Sequence, residues 1–182
     1  MSNNMQTEVR LALQKFQDGY TARNIGKLDE FMQLFVQDET IEMIGVGASK
    51  RAANEWFEGL TRVREIVEGD WTYWGDVKFD VDGAKITEQG DVAWLSTTGT
   101  VTQTKAFDTA IELHVNDMKA IFDREELSAD QKLMEATHYG IRRLYERSKG
   151  FGHSWPFTFT AVLIRDEDSW RFHTIHWSMP VG

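Results

Sequence analysis

The sequence predicts an α+β domain in which helices come first and an antiparallel sheet follows. Up to about residue 68, apolar side chains recur at intervals of three and four, as they do along one side of a helix. From Trp71 onward they alternate with polar residues, as they do in strands. The chain ends with two runs rich in apolar residues and threonine between Trp155 and Met179, and the charged break between them at 165–169 indicates a β-hairpin.

Two helices are predicted at the start of the chain. The first runs from about Met5 to Arg23, and its apolar residues share one stripe: Val9, Leu13, Phe16 and Tyr20. Asn24-Ile25-Gly26 ends this helix, because Asn and Gly tolerate the left-handed conformation found at helix ends. A short second helix is predicted from Lys27 to Phe35.

A strand and a third helix are predicted next. The strand covers Asp38 to Ile44 and ends at the glycines of Gly45-Val46-Gly47. Ser49 is placed to cap a helix from Lys50 to about Glu68. The buried stripe of this helix is predicted to contain Ala52, Trp56, Leu60, Val63 and Val67.

Antiparallel strands make up most of the remaining chain. Alternation predicts a strand from Trp71 to Val81, which the turn dipeptide Asp82-Gly83 joins to a second strand from Lys85 to Glu88. A third, long strand runs from Val92 to Gln103 and is rich in β-branched residues.

The segment from about 106 to 152 interrupts the sheet. Its apolar residues fall at helical spacing, and Ser128-Ala129-Asp130-Gln131 matches a capping box, the pattern that opens a helix. A helical hairpin inserted between two strands is therefore predicted. Three roles stay open for it: it docks on the domain, covers a pocket or forms contacts between subunits.

Both faces of the closing hairpin carry large apolar groups. Strict alternation places Trp170, Phe172, Thr174 and His176 on one face, and Arg171, His173, Ile175, Trp177 and Met179 on the other. Exposing several aromatic rings to water is unfavourable. One face is therefore expected to pack on the chain's own helices, and the other on a partner subunit or the inserted segment.

Length and composition limit the class of protein. The chain has 182 residues, 41% of them hydrophobic, which fits a single domain over 1–182. A net charge of −9 without a basic run argues against a nucleic-acid partner, and the absence of cysteine excludes disulfides and thiolate chemistry. The start lacks the apolar core of a signal peptide, and no apolar run is long enough to cross a membrane, so a cytoplasmic protein is expected.

The order of elements and several short motifs resemble the nuclear transport factor 2-like, or SnoaL-like, domains. The stretch from Gly26-Lys27-Leu28-Asp29-Glu30-Phe31 to Leu34-Phe35-Val36-Gln37-Asp38-Glu39-Thr40-Ile41 resembles the opening of these domains. Gly90-Asp91-Val92-Ala93-Trp94-Leu95, Trp170-Arg171-Phe172 and His176-Trp177-Ser178 look like their later strands. The resemblance implies a cone-shaped, cystatin-like barrel: a bent sheet around the N-terminal helices, an apolar pocket open at one end, and a homodimer through the outer sheet face.

The resemblance does not imply one reaction, because this architecture supports many functions. Ketosteroid isomerases, which share the opening motif, use a tyrosine on the first helix and an aspartate on the first strand. Those two positions fall on Gly19 and Met43 here. Methionine cannot accept a proton, so that particular reaction is not expected.

Two residues are candidates for acid–base chemistry. His176 shares its predicted face with Trp170 and Phe172, which the resemblance turns toward the pocket, and imidazole titrates near neutral pH. The alternative is a core histidine bonded to a neighbouring hydroxyl. Asp76 is the second candidate, since burial would raise the pKa of a carboxyl placed inside the sheet; the alternative is a solvated face.

An aromatic lining is predicted for the pocket. The lining residues are Phe16, Tyr20, Met43, Trp56, Trp74, Trp94 and Phe159, which as core residues alone would need no ligand. Two functions stay open: a cofactor-free isomerase, dehydratase or cyclase acting on a small apolar or aromatic molecule, and a non-catalytic ligand-binding or dimerisation domain. No metal motif or phosphate-binding loop occurs, so neither a metal nor a cofactor is expected.

Overall fold

A computed structural model describes residues 2–46, 48, 50–51, 55–104, 107–167 and 169–179. Contacts divide the chain into two compact units. The first runs to Val101 and resumes at Trp155, and the second covers Thr102–Ser154. The second unit coincides closely with the insertion predicted at 106–152.

The elements follow one another in the order helix, strand, helix, sheet, as predicted. The helices are α1 (Ser2–Ala22), α2 (Leu28–Met32), α3 (Leu60–Tyr73), α4 (Phe107–Asp123) and α5 (Ala129–Ser148), with a short 3₁₀ turn at Ile25–Lys27. The strands are β1 (Glu42–Ile44), β2 (Trp56–Glu58), β3 (Gly75–Phe79), β4 (Lys85–Gln89), β5 (Val92–Gln103), β6 (Ser154–Asp166) and β7 (Ser169–Ser178).

The strands form one curved sheet in the order β2-β1-β7-β6-β5-β3, and β4 also pairs with β5. The pairing of β1 with β7 is parallel, whereas β1 with β2, β4 with β5 and β6 with β7 are antiparallel. Over the described residues the sheet stays open instead of closing into a barrel. The α+β class predicted from the sequence is confirmed.

Two N-terminal predictions are confirmed, and a third is correct only in part. Helix α1 buries Val9, Leu13, Phe16 and Tyr20, the stripe predicted for it. Asn24 follows α1, and its side chain accepts a hydrogen bond from the Gly26 N–H. The second helix is shorter than predicted, because the chain has already joined the sheet at Phe35, which bridges to Phe172.

The third helix differs from its prediction at both ends. Trp56, expected on a helix, begins β2 and pairs with Ile44 of β1. The helix starts after Gly59, whose φ of +83° is unfavourable for other residues, and it continues past Glu68 to Tyr73. It continues because Val63, Val67 and Trp71 keep the helical interval of four, and all three are buried. The predicted cap Ser49 and the stripe residue Ala52 lie outside the described residues.

Local signals also located the long strand and the inserted helices. Strand β5 covers Val92–Gln103, as predicted, and the second unit contains α4 and α5. The capping box is present: Gln131 N–H donates to Ser128 Oγ at 3.3 Å, and Ser128 N–H donates to Gln131 Oε1 at 2.9 Å. The predicted pairing of β3 with β4 is replaced by pairing of both strands with β5.

The closing hairpin is present, but the predicted faces of β7 are wrong beyond its midpoint. Val162 pairs with Thr174, whereas its neighbour Leu163 pairs with Phe172, so that His173 is an extra residue in a β-bulge. An extra residue reverses the alternation of all later side chains. Trp170, Phe172, Ile175 and Trp177 are therefore buried together, while His176 is exposed.

Candidate functional site

The interior of the first unit is a cluster of aromatic rings centred on Phe16 of α1. The Phe16 ring stacks on Tyr20 at a centroid distance of 4.9 Å. It also contacts five phenylalanines and one tryptophan from α2, the following turn and the sheet: Phe31, Phe35, Phe79, Phe159, Phe172 and Trp177. Offset and edge-to-face contacts of this kind each stabilise a core beyond simple burial.

One polar pair lies at the edge of this cluster. The Tyr20 hydroxyl donates a hydrogen bond to Asp70 Oδ2 at 3.0 Å, while the Tyr20 side chain is fully buried. Burial, followed by the charge of Asp70 and the hydrogen bond to it, raises the pKa of Tyr20 well above its usual value of 10.0. Tyr20 therefore keeps its proton throughout the physiological range, and its single hydrogen is used by Asp70.

Three tryptophans surround the Tyr20 ring. Their ring centroids lie at 6.3 Å for Trp71, 6.5 Å for Trp74 and 5.8 Å for Trp177. Trp74 also contacts Trp177 edge-to-face at 5.2 Å and Phe157 at 6.5 Å. Unlike Trp71 and Trp177, Trp74 is only half-buried, and it lies in the junction between α3 and β3.

The structure brings together four of the seven predicted lining residues. Phe16, Tyr20 and Phe159 belong to the aromatic cluster, and Trp74 borders it. Met43 is buried in β1, and Trp56 is half-buried in β2 beneath the guanidinium of Arg51. The predicted place of Trp94 in the lining is wrong: this side chain is 44% exposed, because it alternates along β5 with the buried Ala93 and Leu95.

Neither predicted acid–base residue reaches the aromatic cluster. His176 is exposed on the outer face of β7, where it pairs across the sheet with Thr160, so its predicted inward orientation is wrong. Asp76 is half-buried and alternates along β3 with the buried Gly75 and Val77, which places its carboxyl on the opposite face from Val77 and Phe79. A role for either residue in catalysis stays a prediction, without the shared pocket that motivated it.

Sequence reasoning missed Asp70 as the partner of Tyr20. A signal was available, because the interval Val63, Val67, Trp71 extends the third helix past Glu68 and brings Asp70 onto it. The distance between the two residues was not available, since it depends on how α1 and α3 pack.

Two general properties bear on the chemistry. Among the described residues, no group of three or more His, Asp or Glu side chains is arranged to hold a metal ion. Over the same part of the chain, no helix combines the length and apolar character needed to cross a membrane.

Open sheet, N-terminal helices and aromatic interior together define the class, an α+β protein of the nuclear transport factor 2-like kind. The SnoaL-like domain family matches residues 12–126, and the chain belongs to this family. A comparison with curated protein sequences finds no match.

Solved structures with the same fold differ strongly in sequence. A protein from Streptomyces avermitilis, described as a candidate dehydratase of the NTF2-like family, is 11% identical, with a TM-score of 0.62 and 100% of both chains covered. A ketosteroid isomerase-like protein from Erwinia carotovora atroseptica is 9% identical, with a TM-score of 0.60 and 99% of both chains covered. An NTF2-like superfamily protein from Salmonella enterica is 11% identical, with a TM-score of 0.62, and 100% of this chain and 95% of that chain are covered. These likenesses establish the fold.

Proposed function

We propose that this SnoaL-like protein binds a small, largely apolar or aromatic molecule beside Tyr20 and Asp70. The observation that carries the proposal is a hydrogen-bonded polar pair at the edge of an otherwise aromatic interior. A binding site for a small molecule typically combines apolar walls with a few placed polar groups.

The polar pair selects for a ligand that donates a hydrogen bond. Because the only hydroxyl hydrogen of Tyr20 goes to Asp70, the phenolic oxygen offers lone pairs and the carboxylate offers further acceptor sites. A ligand hydroxyl or N–H complements both groups, whereas a ligand carrying only acceptors does not.

Trp74 is proposed as the group that moves to admit the ligand. It covers Tyr20 and Trp177, yet it is only half-buried and lies outside the regular helix and strand on either side. A side chain in a short connection changes rotamer at lower cost than one fixed within an element. The indole of Trp74 thus occupies the space that an aromatic ligand takes.

A matched ligand pair tests this proposal. We expect 2-naphthol to bind more tightly than 2-methoxynaphthalene, which has the same rings but no hydroxyl hydrogen, in calorimetric titration. Tyr20→Phe is expected to remove the preference, and Trp74→Ala to strengthen binding of both ligands. Trp94→Phe, on the exposed side of β5, is the control and leaves both affinities unchanged. Equal affinities of the unmodified protein for the two ligands would refute the proposal.

The same pair supports a second candidate function, cofactor-free proton transfer of the isomerase, dehydratase or cyclase type. Asp70 is a carboxylate that can accept a proton, and Tyr20 holds a proton across the physiological range. In this function Asp70 removes a proton from the carbon beside a ligand carbonyl, and solvent returns a proton to the resulting enolate.

Solvent exchange separates catalysis from binding alone. With 2-tetralone in D₂O, a catalytic protein speeds the incorporation of deuterium beside the carbonyl, which nuclear magnetic resonance measures. Asp70→Asn is expected to abolish the acceleration while the ketone still binds. If the unmodified protein binds the ketone without accelerating exchange, the binding function stands and this catalytic one fails.

A further inference from the structure

A groove with a volume of about 680 Å³ lies in the first unit along a side of α1 that the aromatic cluster does not occupy. Its α1 residues recur at intervals of three and four and form one stripe: Glu8, Leu11, Ala12, Lys15, Asp18, Gly19 and Ala22. The segment from Asn24 to Leu34 and residues Ser169–Arg171 complete the walls, and Trp71 also lines the groove. This volume lies within the range of small-molecule sites, roughly 300 to 1,000 Å³.

Lys15 is the distinctive charge of this groove. The other two cations along it already have carboxylate partners, since Lys27 pairs with Glu30 at 3.8 Å and Arg171 pairs with Asp166 at 3.0 Å. For Lys15, at the centre of the stripe, no ion pair or hydrogen bond occurs with any described residue. One monovalent anion would balance this single ammonium group.

Two further donors border the groove. The indoles of Trp71 and Trp170 are each only 5% exposed, and neither Nε1–H has a hydrogen-bond acceptor among the described residues. A buried donor without an acceptor is costly, and native structures seldom leave one unexplained. An acceptor brought by a ligand would remove that cost.

Apolar surface accompanies these polar groups. Leu11 is 55% exposed although it faces the groove, and Leu34 and the ring of Trp170 lie on the walls. A hydrocarbon chain packed here would bury Leu11 and gain from the hydrophobic effect.

We propose that the groove binds a small amphipathic carboxylate. The carboxylate pairs with Lys15 and accepts from an indole N–H, while the apolar tail packs on Leu11, Leu34 and Trp170. A carboxylate is favoured over a phosphate because one uncompensated lysine, in a protein with a net charge of −9, balances one negative charge. Tyr20 is not among the residues that line this groove, so the site is separate from the one proposed above.

Decanoate and its neutral analogue decanol provide the test, by calorimetric titration of the full chain at low salt and pH 7.5. We expect decanoate to bind, and Lys15→Gln to weaken its affinity by about three- to tenfold, as for an exposed ion pair that becomes partly desolvated. The same substitution should leave the affinity for decanol unchanged. Trp170→Phe keeps a ring but removes the N–H, and should weaken decanoate binding further.

Two controls make the outcome decisive. Lys78→Gln removes an exposed lysine on β3 that does not line the groove, and it should leave decanoate binding unchanged. Tyr20→Phe should also leave it unchanged. Absence of decanoate binding, equal binding by Lys15→Gln, or loss of binding on Tyr20→Phe alone would each overturn the proposal, and the last result would place the ligand at Tyr20 instead.

Discussion

Tyr20 on α1 donates its phenolic hydrogen to Asp70 on α3, with 3.0 Å between the two oxygens and 50 positions between the residues in the chain. The bond joins the ends of two helices inside an aromatic surrounding, where water does not compete for either group. Neither residue would make this contact unless α1 and α3 were both correctly packed. The pair therefore reports on the fold as well as on the proposed site.

Removing this hydroxyl should lower stability by a moderate amount. Tyr20→Phe keeps the ring and its stacking on Phe16 but loses a hydrogen bond to a charged acceptor. Because Asp70 is half-buried and can be solvated in part, we expect a loss of about 1 to 2 kcal/mol in urea denaturation. Trp94→Phe, at an exposed position, should stay within about 0.5 kcal/mol of the unmodified protein. Equal effects of the two substitutions would show that the hydrogen bond contributes nothing.

Alkaline pH should destabilise the protein through Tyr20. Its pKa is raised in the folded state, so above pH 10.0, its usual value, the unfolded chain releases a proton that the folded chain retains. The unfolded state then binds fewer protons, and the free energy of unfolding falls as the pH rises. Chemical denaturation at several pH values above 10 should show a steeper fall for the unmodified protein than for Tyr20→Phe. Parallel pH profiles would contradict the raised pKa.

Gly19 and Gly69 offer a matched pair of substitutions in helices. A β-carbon at Gly19 would lie 2.3 Å from Phe31 Cδ2, and the Phe31 ring is held by Phe16, Tyr20 and Trp71. At Gly69 no heavy atom lies within 4 Å of the added carbon. Gly69→Ala should therefore stabilise by roughly 0.5 to 1 kcal/mol, whereas Gly19→Ala should destabilise by about 1 to 3 kcal/mol. Thermal unfolding of both variants checks the difference in sign.

The β-bulge at His173 predicts opposite results at two adjacent residues. Trp177 is 3% exposed and packs on Phe159 and Phe79, so Trp177→Ala should cost about 3 to 5 kcal/mol. His176 points to the outer face, and His176→Ala should change stability by less than about 0.5 kcal/mol. A reversed order of the two effects in urea denaturation would restore uninterrupted alternation along β7.

The homodimer through the outer sheet face stays a prediction, with a new set of residues. The face opposite the core carries Thr158, Thr160, Thr174 and His176, instead of the Trp177 expected there from alternation. Thr160 and His176 pair directly across the strands, so Thr160→Glu with His176→Glu would place like charges side by side at the interface. We expect this variant to sediment as a monomer and the unmodified protein as a dimer.

A control with the same added charge belongs to that experiment. Thr87 and Gln89 are exposed on β4, and replacing both by Glu should leave the dimer intact. A dimer that survives the changes at Thr160 and His176 would show that another surface joins the subunits.

The sequence by itself determined the elements that depend on neighbouring residues. The stripe of α1, the full extent of β5, the Ser128–Gln131 capping box and the closing hairpin were all predictable, because periodicity and turn chemistry act over a few positions. The family resemblance rested on the same local stretches.

Only the tertiary structure decided which side chains meet. The bulge at His173 follows from the pairing of β6 with β7, and it exchanged His176 for Trp177 in the interior. Residues Trp56–Glu58 became a strand because β1 provided a partner, and Asp70 met Tyr20 because two helices packed together. Strand pairing and helix packing are set by contacts between distant parts of the chain, and those contacts override local preference.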